Sequence, residues 1–196
     1  MIASVSGTLV WRDPSGIVID TAGGTGYQLE VPLAVFERLP AAGERVQLHT
    51  ELVVREEAWS LYGFDTLMER AVFRRLMGAS GVGPRLALAI LSALGPDRTV
   101  RAIRDRDLAV LASVSGIGRK KAERIALELT DRMDDLPVTP GADESHAPSA
   151  DVVRALIKLG YTPAASESAV RTALDAGTPQ NTAALLRRAL SELTRK

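Results

Sequence analysis

The chain has 196 residues, no cysteine, 46% apolar residues and equal numbers of basic and acidic side chains, 24 of each. That length suffices for one or two small domains with cores of their own; the missing thiols exclude disulfides and thiolate metal sites and fit a reducing cytoplasm. No run of about 18 uncharged apolar residues is present, so no membrane span is expected, and "MIASVSGTLVW" lacks the basic leader and long apolar segment of a signal peptide.

The neutral total hides an uneven distribution. Residues 1–64 hold 4 Lys/Arg against 8 Asp/Glu, residues 65–136 hold 13 against 10, and residues 137–196 hold 7 against 6. A basic middle third beside an acidic first third suggests separate surfaces for separate jobs, with nucleic acid a candidate for the basic one.

In chain order, residues 1–64 read as short strands divided by turn signals. "SVSGTLVW" leads into "DPSG", then "IVIDT", "GGTG" and "YQLEV". A short helix is expected around "LAVFERL", and "RVQLHTELVV" and "AWSLYGF" are two further strands joined by "REEA". Five or six short strands with one helix suggest a small barrel of the OB type, or a fragment of a β-sandwich. Residues 65–136 carry helical periodicity nearly throughout. Residues 137–148, "PVTPGADESHAP", have almost nothing to bury and read as a flexible linker. Residues 149–196 return to helical periodicity, with "TP" at 162–163 a helix start and "GTPQNT" a separator, so a small three-helix bundle is expected. The fold class is therefore α+β and multidomain.

The middle region repeats itself. "LMGASGVGPRLALAIL" (76–91) lies over "LASVSGIGRKKAERIAL" (111–127) at an offset of 35, with Leu76 on Leu111, Gly81 on Gly116, Gly83 on Gly118, Arg85 on Lys120 and Ile90 on Ile125. Each copy is a helical segment, a Gly-aliphatic-Gly turn and a second helix. In the second copy Arg119, Lys120 and Lys121 fall in the first turn of a helix whose apolar face is Ala122, Ile125, Ala126 and Leu129. Cations there oppose the helix dipole. An anion at the helix start reverses that penalty: a phosphate satisfies the open N–H groups, the dipole and the nearby cations together. Two copies suit two phosphates, most simply on either side of a minor groove. Nothing in either copy is arranged to read base edges, so contact with the phosphate backbone without sequence readout is expected.

These residues resemble the paired helix-hairpin-helix motifs of the RuvA family of junction-binding proteins. The resemblance spans the chain: "VVREEAWSLYGF" (53–64) is similar to the end of that family's OB-fold domain, and "VVRALIKLGYTPAAS" (152–166) to the start of its mobile third domain. The resemblance implies four parts: an OB-fold domain over 1–64, a tandem helix-hairpin-helix domain over 65–136, a linker over 137–148 and a motor-binding three-helix domain over 149–196, similar to a ubiquitin-associated bundle. It implies a homotetramer, or an octamer on DNA, that holds a four-way (Holliday) junction open and square for a RuvB-type hexameric ATPase, with a RuvC-type resolvase as a further partner. Gly81, Val82, Gly83, Pro84 and Arg85 match the first DNA-binding motif; Gly116, Ile117, Gly118, Arg119, Lys120 and Lys121 match the second, with Arg124 one turn on. Glu56 and Glu57 stand where the family carries an acidic pin that projects toward the junction centre and repels phosphates there. Leu156, Leu159 and Tyr161 are candidates for contact with the motor.

Enzyme signatures are missing from the sequence. There is no Gly-Lys dipeptide and hence no P-loop, no G-x-S-x-G elbow, and neither His49 nor His146 has a partner at metal spacing. No cofactor is expected. Two function classes remain: a non-catalytic junction scaffold that recruits a separate motor, and a helix-hairpin-helix subunit of a repair nuclease or glycosylase. The missing ATP site and missing catalytic cluster favour the scaffold.

Overall fold

The computed structural model describes residues 1–13, 15–56, 58–137, 148–176 and 181–194. Five antiparallel strands make the first part: β1 (Ser4–Asp13), β2 (Gly16–Asp20), β3 (Gly26–Leu29), β4 (Arg45–Val54) and β5 (Trp59–Phe64), in the order β3-β2-β1-β4-β5. Alternation along β1 turns Val5 and Leu9 inward. The register skips Val10 between Leu9 and Trp11, a bulge that bends the strand. The sheet then meets itself: Glu30, just past β3, bridges to Tyr62 of β5, with Glu30 N–H donating to the Leu61 carbonyl and Gly63 N–H to the Glu30 carbonyl, each at 2.9 Å. This is the near-closed, OB-like barrel expected from the strand pattern. Helix α1 (Leu33–Arg38) adds Leu33, Val35 and Phe36 to its core.

Residues 1–65 and 147–196 form one compact unit. Helices α6 (Pro148–Lys158), α7 (Pro163–Asp175) and α8 (Thr182–Thr194) pack on one another around Val152, Leu156, Val170 and Leu185, and this cluster is continuous with the barrel's. Charged groups stitch the contact. Arg171 on α7 is buried and donates to the Val31 carbonyl at 2.8 Å. The guanidiniums of Arg12 and Arg171 lie 4.4 and 5.3 Å from the centre of the Phe36 ring. Arg12 also pairs with Asp175 at 2.9 Å, and Ser149 Oγ donates to Glu37 Oε2 at 2.8 Å. Burial pushes the Glu37 and Glu167 carboxyls above their ordinary range and the Arg171 guanidinium below its own.

The second unit begins at Thr66. Helix α2 (Leu67–Leu76) starts with a capping box: Glu69 N–H donates to Thr66 Oγ1 at 3.1 Å and Thr66 N–H to Glu69 Oε2 at 3.0 Å. Helix α3 (Pro84–Arg104) is two helical segments broken at Gly95, whose φ of +69° is followed by Pro96. Helix α4 (Leu108–Ala112) is short, capped by Asp107, and α5 (Arg119–Met133) is long. Ala122, Ile125, Ala126 and Leu129 are buried, as the periodicity of α5 requires, and so are Phe73 and Leu76 of α2 and Ile90 and Ile103 of α3, the helices on which α5 packs. The expected linker falls almost wholly outside the described residues, between Pro137 and Pro148.

Candidate nucleic-acid interface

The two turns of the repeat share their principal backbone hydrogen bonds. Val82 N–H donates to the Ala79 carbonyl and Ile117 N–H to the Val114 carbonyl, both at 3.1 Å. Gly81 and Gly116 sit at φ of +78° and +84°, which only glycine adopts without strain. Gly83 and Gly118 are different. Their backbones are extended, at φ −92° and −85°, and each is the N-cap of the helix that follows. Ala87 N–H returns to the Gly83 carbonyl and Ala122 N–H to that of Gly118, each at 3.0 Å. Between the glycines, Val82 and Ile117 point inward and keep only 6% and 4% of their surface exposed. Each anchors its turn by about 1.5–3 kcal/mol of burial. The aliphatic residue of each motif therefore fixes the turn, and only its backbone is available to a ligand.

The helix starts reveal what these turns leave open. Helices α2, α4, α7 and α8 have side-chain caps, from Thr66, Asp107, Thr162 and Asn181. Helices α3 and α5 have none, and neither has the six-residue α1, which starts after Pro32. A Cβ on Gly118 would meet nothing within 4 Å, so neither packing nor φ demands glycine there. The bare N-cap leaves the first amides of α5 open to an oxyanion.

Side chains around the turns take several roles. Arg85, Lys120 and Arg124 are exposed at or just past the helix starts. Arg119 pairs with Glu123 at 3.2 Å along α5. Lys121 is half-buried, with Nζ donating to the Gly116 carbonyl at 3.0 Å, so it braces the turn as well as charging it. Pro84 is buried at the first helical position. One residue the repeat did not single out proves integral: Glu128 of α5 accepts from Ser80 N–H in the first turn at 2.7 Å. Its only sequence signal is an acid on the half-exposed side of α5.

The β4–β5 hairpin carries the acidic pair. Arg55 N–H donates to the Ala58 carbonyl at 3.0 Å, closing a turn with Glu56 exposed at its tip; Glu57 lies outside the described residues. Below the tip, Val54 and Trp59 face each other across the ladder, and Trp59 is 77% exposed, a feature the strand pattern did not disclose. His49 is an ordinary ladder residue of β4, and His146 lies outside the described residues. Among the described residues no group of three or more His, Cys, Asp or Glu side chains could hold a metal ion, and no helix is long and apolar enough to cross a membrane. In the last three helices Leu159 is 62% exposed and Tyr161 half-buried, whereas Leu156 is fully buried in the cluster around Val152 and Val170. That removes Leu156 from an exposed patch: its apolar spacing serves the bundle's own core.

Three family models match in succession: the RuvA N terminal domain over residues 1–63, a SAM-like helix-hairpin-helix tandem over 73–131, and the RuvA C-terminal domain over 147–194. A protein of Gemmatimonas aurantiaca named Holliday junction branch migration complex subunit RuvA is 49% identical over 197 residues, covering 100% of both chains. A protein of the same name from Halorhodospira halophila is 43% identical, over 97% of this chain and 96% of its own. The chain belongs to the RuvA family. The tandem stretch contains both turns of the repeat, the RuvA N-terminal stretch contains the β4–β5 hairpin, and the RuvA C-terminal stretch contains α6, α7 and α8.

Proposed function

We propose that this chain binds four-way DNA junctions by their shape, as a homotetramer, and presents them to a RuvB-type hexameric ATPase that drives branch migration in recombination and repair. The observation that carries the reading is the pair of matched turns, each ending in a bare glycine N-cap beside exposed cations. Family membership and the names of full-length relatives support it. The chain is the DNA-binding, non-catalytic subunit; the chemistry of ATP belongs to the motor. Gly81–Arg85 and Gly116–Lys121, with Arg124, contact phosphates of the arms. Glu56 and Glu57 form the pin at the centre. Leu159 and Tyr161 face the motor, and the bundle leaves its seat on the barrel to follow it. A second tetramer closing over the junction, a RuvC-type resolvase acting on it, and a cytoplasmic location belong to the same reading.

A competition gel shift of labelled junction against duplex of equal sequence tests it. The parent protein is expected to prefer the junction, with no cleavage in magnesium. Each carboxylate–phosphate approach costs about 1 kcal/mol at water-like dielectric and more where water is displaced. Glu56→Gln with Glu57→Gln should therefore bind junctions at least as tightly and duplex better. A double variant that binds duplex no better than the parent removes the pin from the account. Leu159→Asp should leave junction binding intact and abolish stimulation of the ATPase; full stimulation would place the motor contact elsewhere.

A further inference from the structure

Beside the first turn, α2 and α5 enclose a cleft of about 410 Å³ lined by Ala71, Arg74, Arg75, Gly78 and Arg132. Three of its five lining residues carry guanidiniums, and the sequence motifs include none of them. The cleft is built. A Cβ on Gly78 would stand 2.9 Å from Arg132 Nη1, so the missing side chain makes the room that the guanidinium occupies. Arg132 Nη1 lies 3.5 Å from the Gly78 carbonyl. Arg75 shows how the cleft treats an oxyanion: its Nη1 and Nη2 donate to the two carboxylate oxygens of Asp135, each at 2.7 Å. That hydrogen bonding holds the exposed Asp135 carboxyl below its ordinary range.

We propose that this cleft is a third backbone-phosphate site of the DNA-binding unit, taking a phosphodiester of the arm gripped by the first hairpin. The inference rests on the junction-binding reading and extends its footprint. A guanidinium fork matches two oxygens of a phosphodiester as it matches a carboxylate. Ala71 and Gly78 offer too little apolar surface for a base or an apolar side chain to pack on. Position favours DNA over an acidic peptide. Gly78 is separated from Gly81 only by Ala79 and Ser80, so cleft and turn are contiguous. The first motif also brings a single cation, Arg85, where the second brings Arg119, Lys120, Lys121 and Arg124. The cleft supplies to the first copy the positive charge that its turn lacks.

The test uses the full chain with Arg74→Ala and Arg132→Ala together, leaving Arg75 and its partner in place. Junction affinity is measured across a series of salt concentrations, and contacted phosphates are mapped by ethylation interference. The slope of log affinity against log salt should fall by about 0.9 for each phosphate no longer neutralised. One interfering phosphate beside the first hairpin's footprint should vanish while the rest remain. Lysine at both positions should restore the slope. An unchanged slope and footprint overturns the proposal, as does a lysine variant that restores neither, which would make the arginines structural. Loss of ATPase stimulation with DNA binding unchanged also overturns it, by giving the cleft to an acidic protein segment. If the alanine pair lowers the melting temperature, the Arg→Gln pair, which keeps polar side chains and removes charge, is read instead. A parent protein with no preference for junctions would fail the functional reading itself, a result distinct from any of these.

Discussion

In the first hairpin Gly83 is followed by Pro84 and one exposed cation, Arg85, and the Ser80 amide is held by Glu128. In the second, Gly118 is followed by Arg119, Lys120 and Lys121, and Lys121 closes on the Gly116 carbonyl. The backbones are nevertheless the same, to the matching 3.1 Å turn bonds and positive-φ glycines. Conformation and charge are thus set mainly by different residues, Lys121 alone serving both. A buried aliphatic anchor and one left-handed glycine fix the path of the chain. The cations around it can change from copy to copy without disturbing that path. What both copies keep is the uncapped helix start, and its role can be isolated by substitution.

The largest effect is expected from capping that start. Gly118 has an extended backbone and open space where a Cβ would be, so Gly118→Asp fits without strain. Aspartate is a better N-cap than glycine by a few tenths of a kcal/mol, and its charge suits the helix dipole. It would also occupy the amides proposed for phosphate and repel the phosphate itself. Thermal stability should rise slightly while junction affinity falls more than tenfold, a change of about 1.4 kcal/mol or more. Gly83→Asp should cost less affinity, because Pro84 has no N–H to lose. A stabilised Gly118→Asp protein that binds normally would show that the helix start is not the phosphate site.

That asymmetry between path and charge also explains what could be read from the sequence. The turns were legible because glycine spacing and helical periodicity are local; so were the strands of the barrel, from alternation and turn residues. The roles of Val82 and Ile117 were not, because an aliphatic residue between two glycines looks alike whether it anchors or touches a ligand; only burial tells. Leu156 was misplaced for the same reason. The Ser80–Glu128 bond joins residues 48 apart, and the seat of the last three helices on the barrel depends on Arg171, a residue type that is exposed in most proteins. Such pairings are selected by the assembled fold and leave no periodic trace.

Charge variants should give smaller, additive changes. Lys120→Ala is expected to reduce the salt slope by about 0.9 for each phosphate that the ammonium neutralises, with a melting temperature no lower than the parent's because a cation leaves the positive end of α5. Lys121→Ala should do the same and also loosen the turn, because its Nζ no longer donates to the Gly116 carbonyl. Arg85→Ala should match Lys120→Ala in slope and leave the second turn untouched. Affinity titrations at four or five salt concentrations decide between these. Equal stability losses for Lys120→Ala and Lys121→Ala would contradict the bracing role of Lys121.

The smallest effect belongs to Glu128, and it tests whether the first turn is held independently of the second. Its carboxylate takes the Ser80 N–H at 2.7 Å, a short charge-assisted bond. Glu128→Gln keeps an acceptor of the same reach and removes the charge. The local cost should be about 1 kcal/mol, the difference between a charged and a neutral hydrogen bond. Two consequences follow, of opposite sign for binding. The first turn opens more often, which weakens its grip on an arm. One negative charge leaves the neighbourhood of that arm, which strengthens attraction of phosphate. Junction affinity should therefore change by less than about threefold, while amide exchange at Ser80 and Val82 accelerates roughly fivefold, the factor that 1 kcal/mol implies. Exchange at Ile117 should stay as it was, because no bond of the second turn involves Glu128. Acceleration at Ile117 equal to that at Val82 would mean that the two turns open together, and the independence of the copies would fail even though their geometries match.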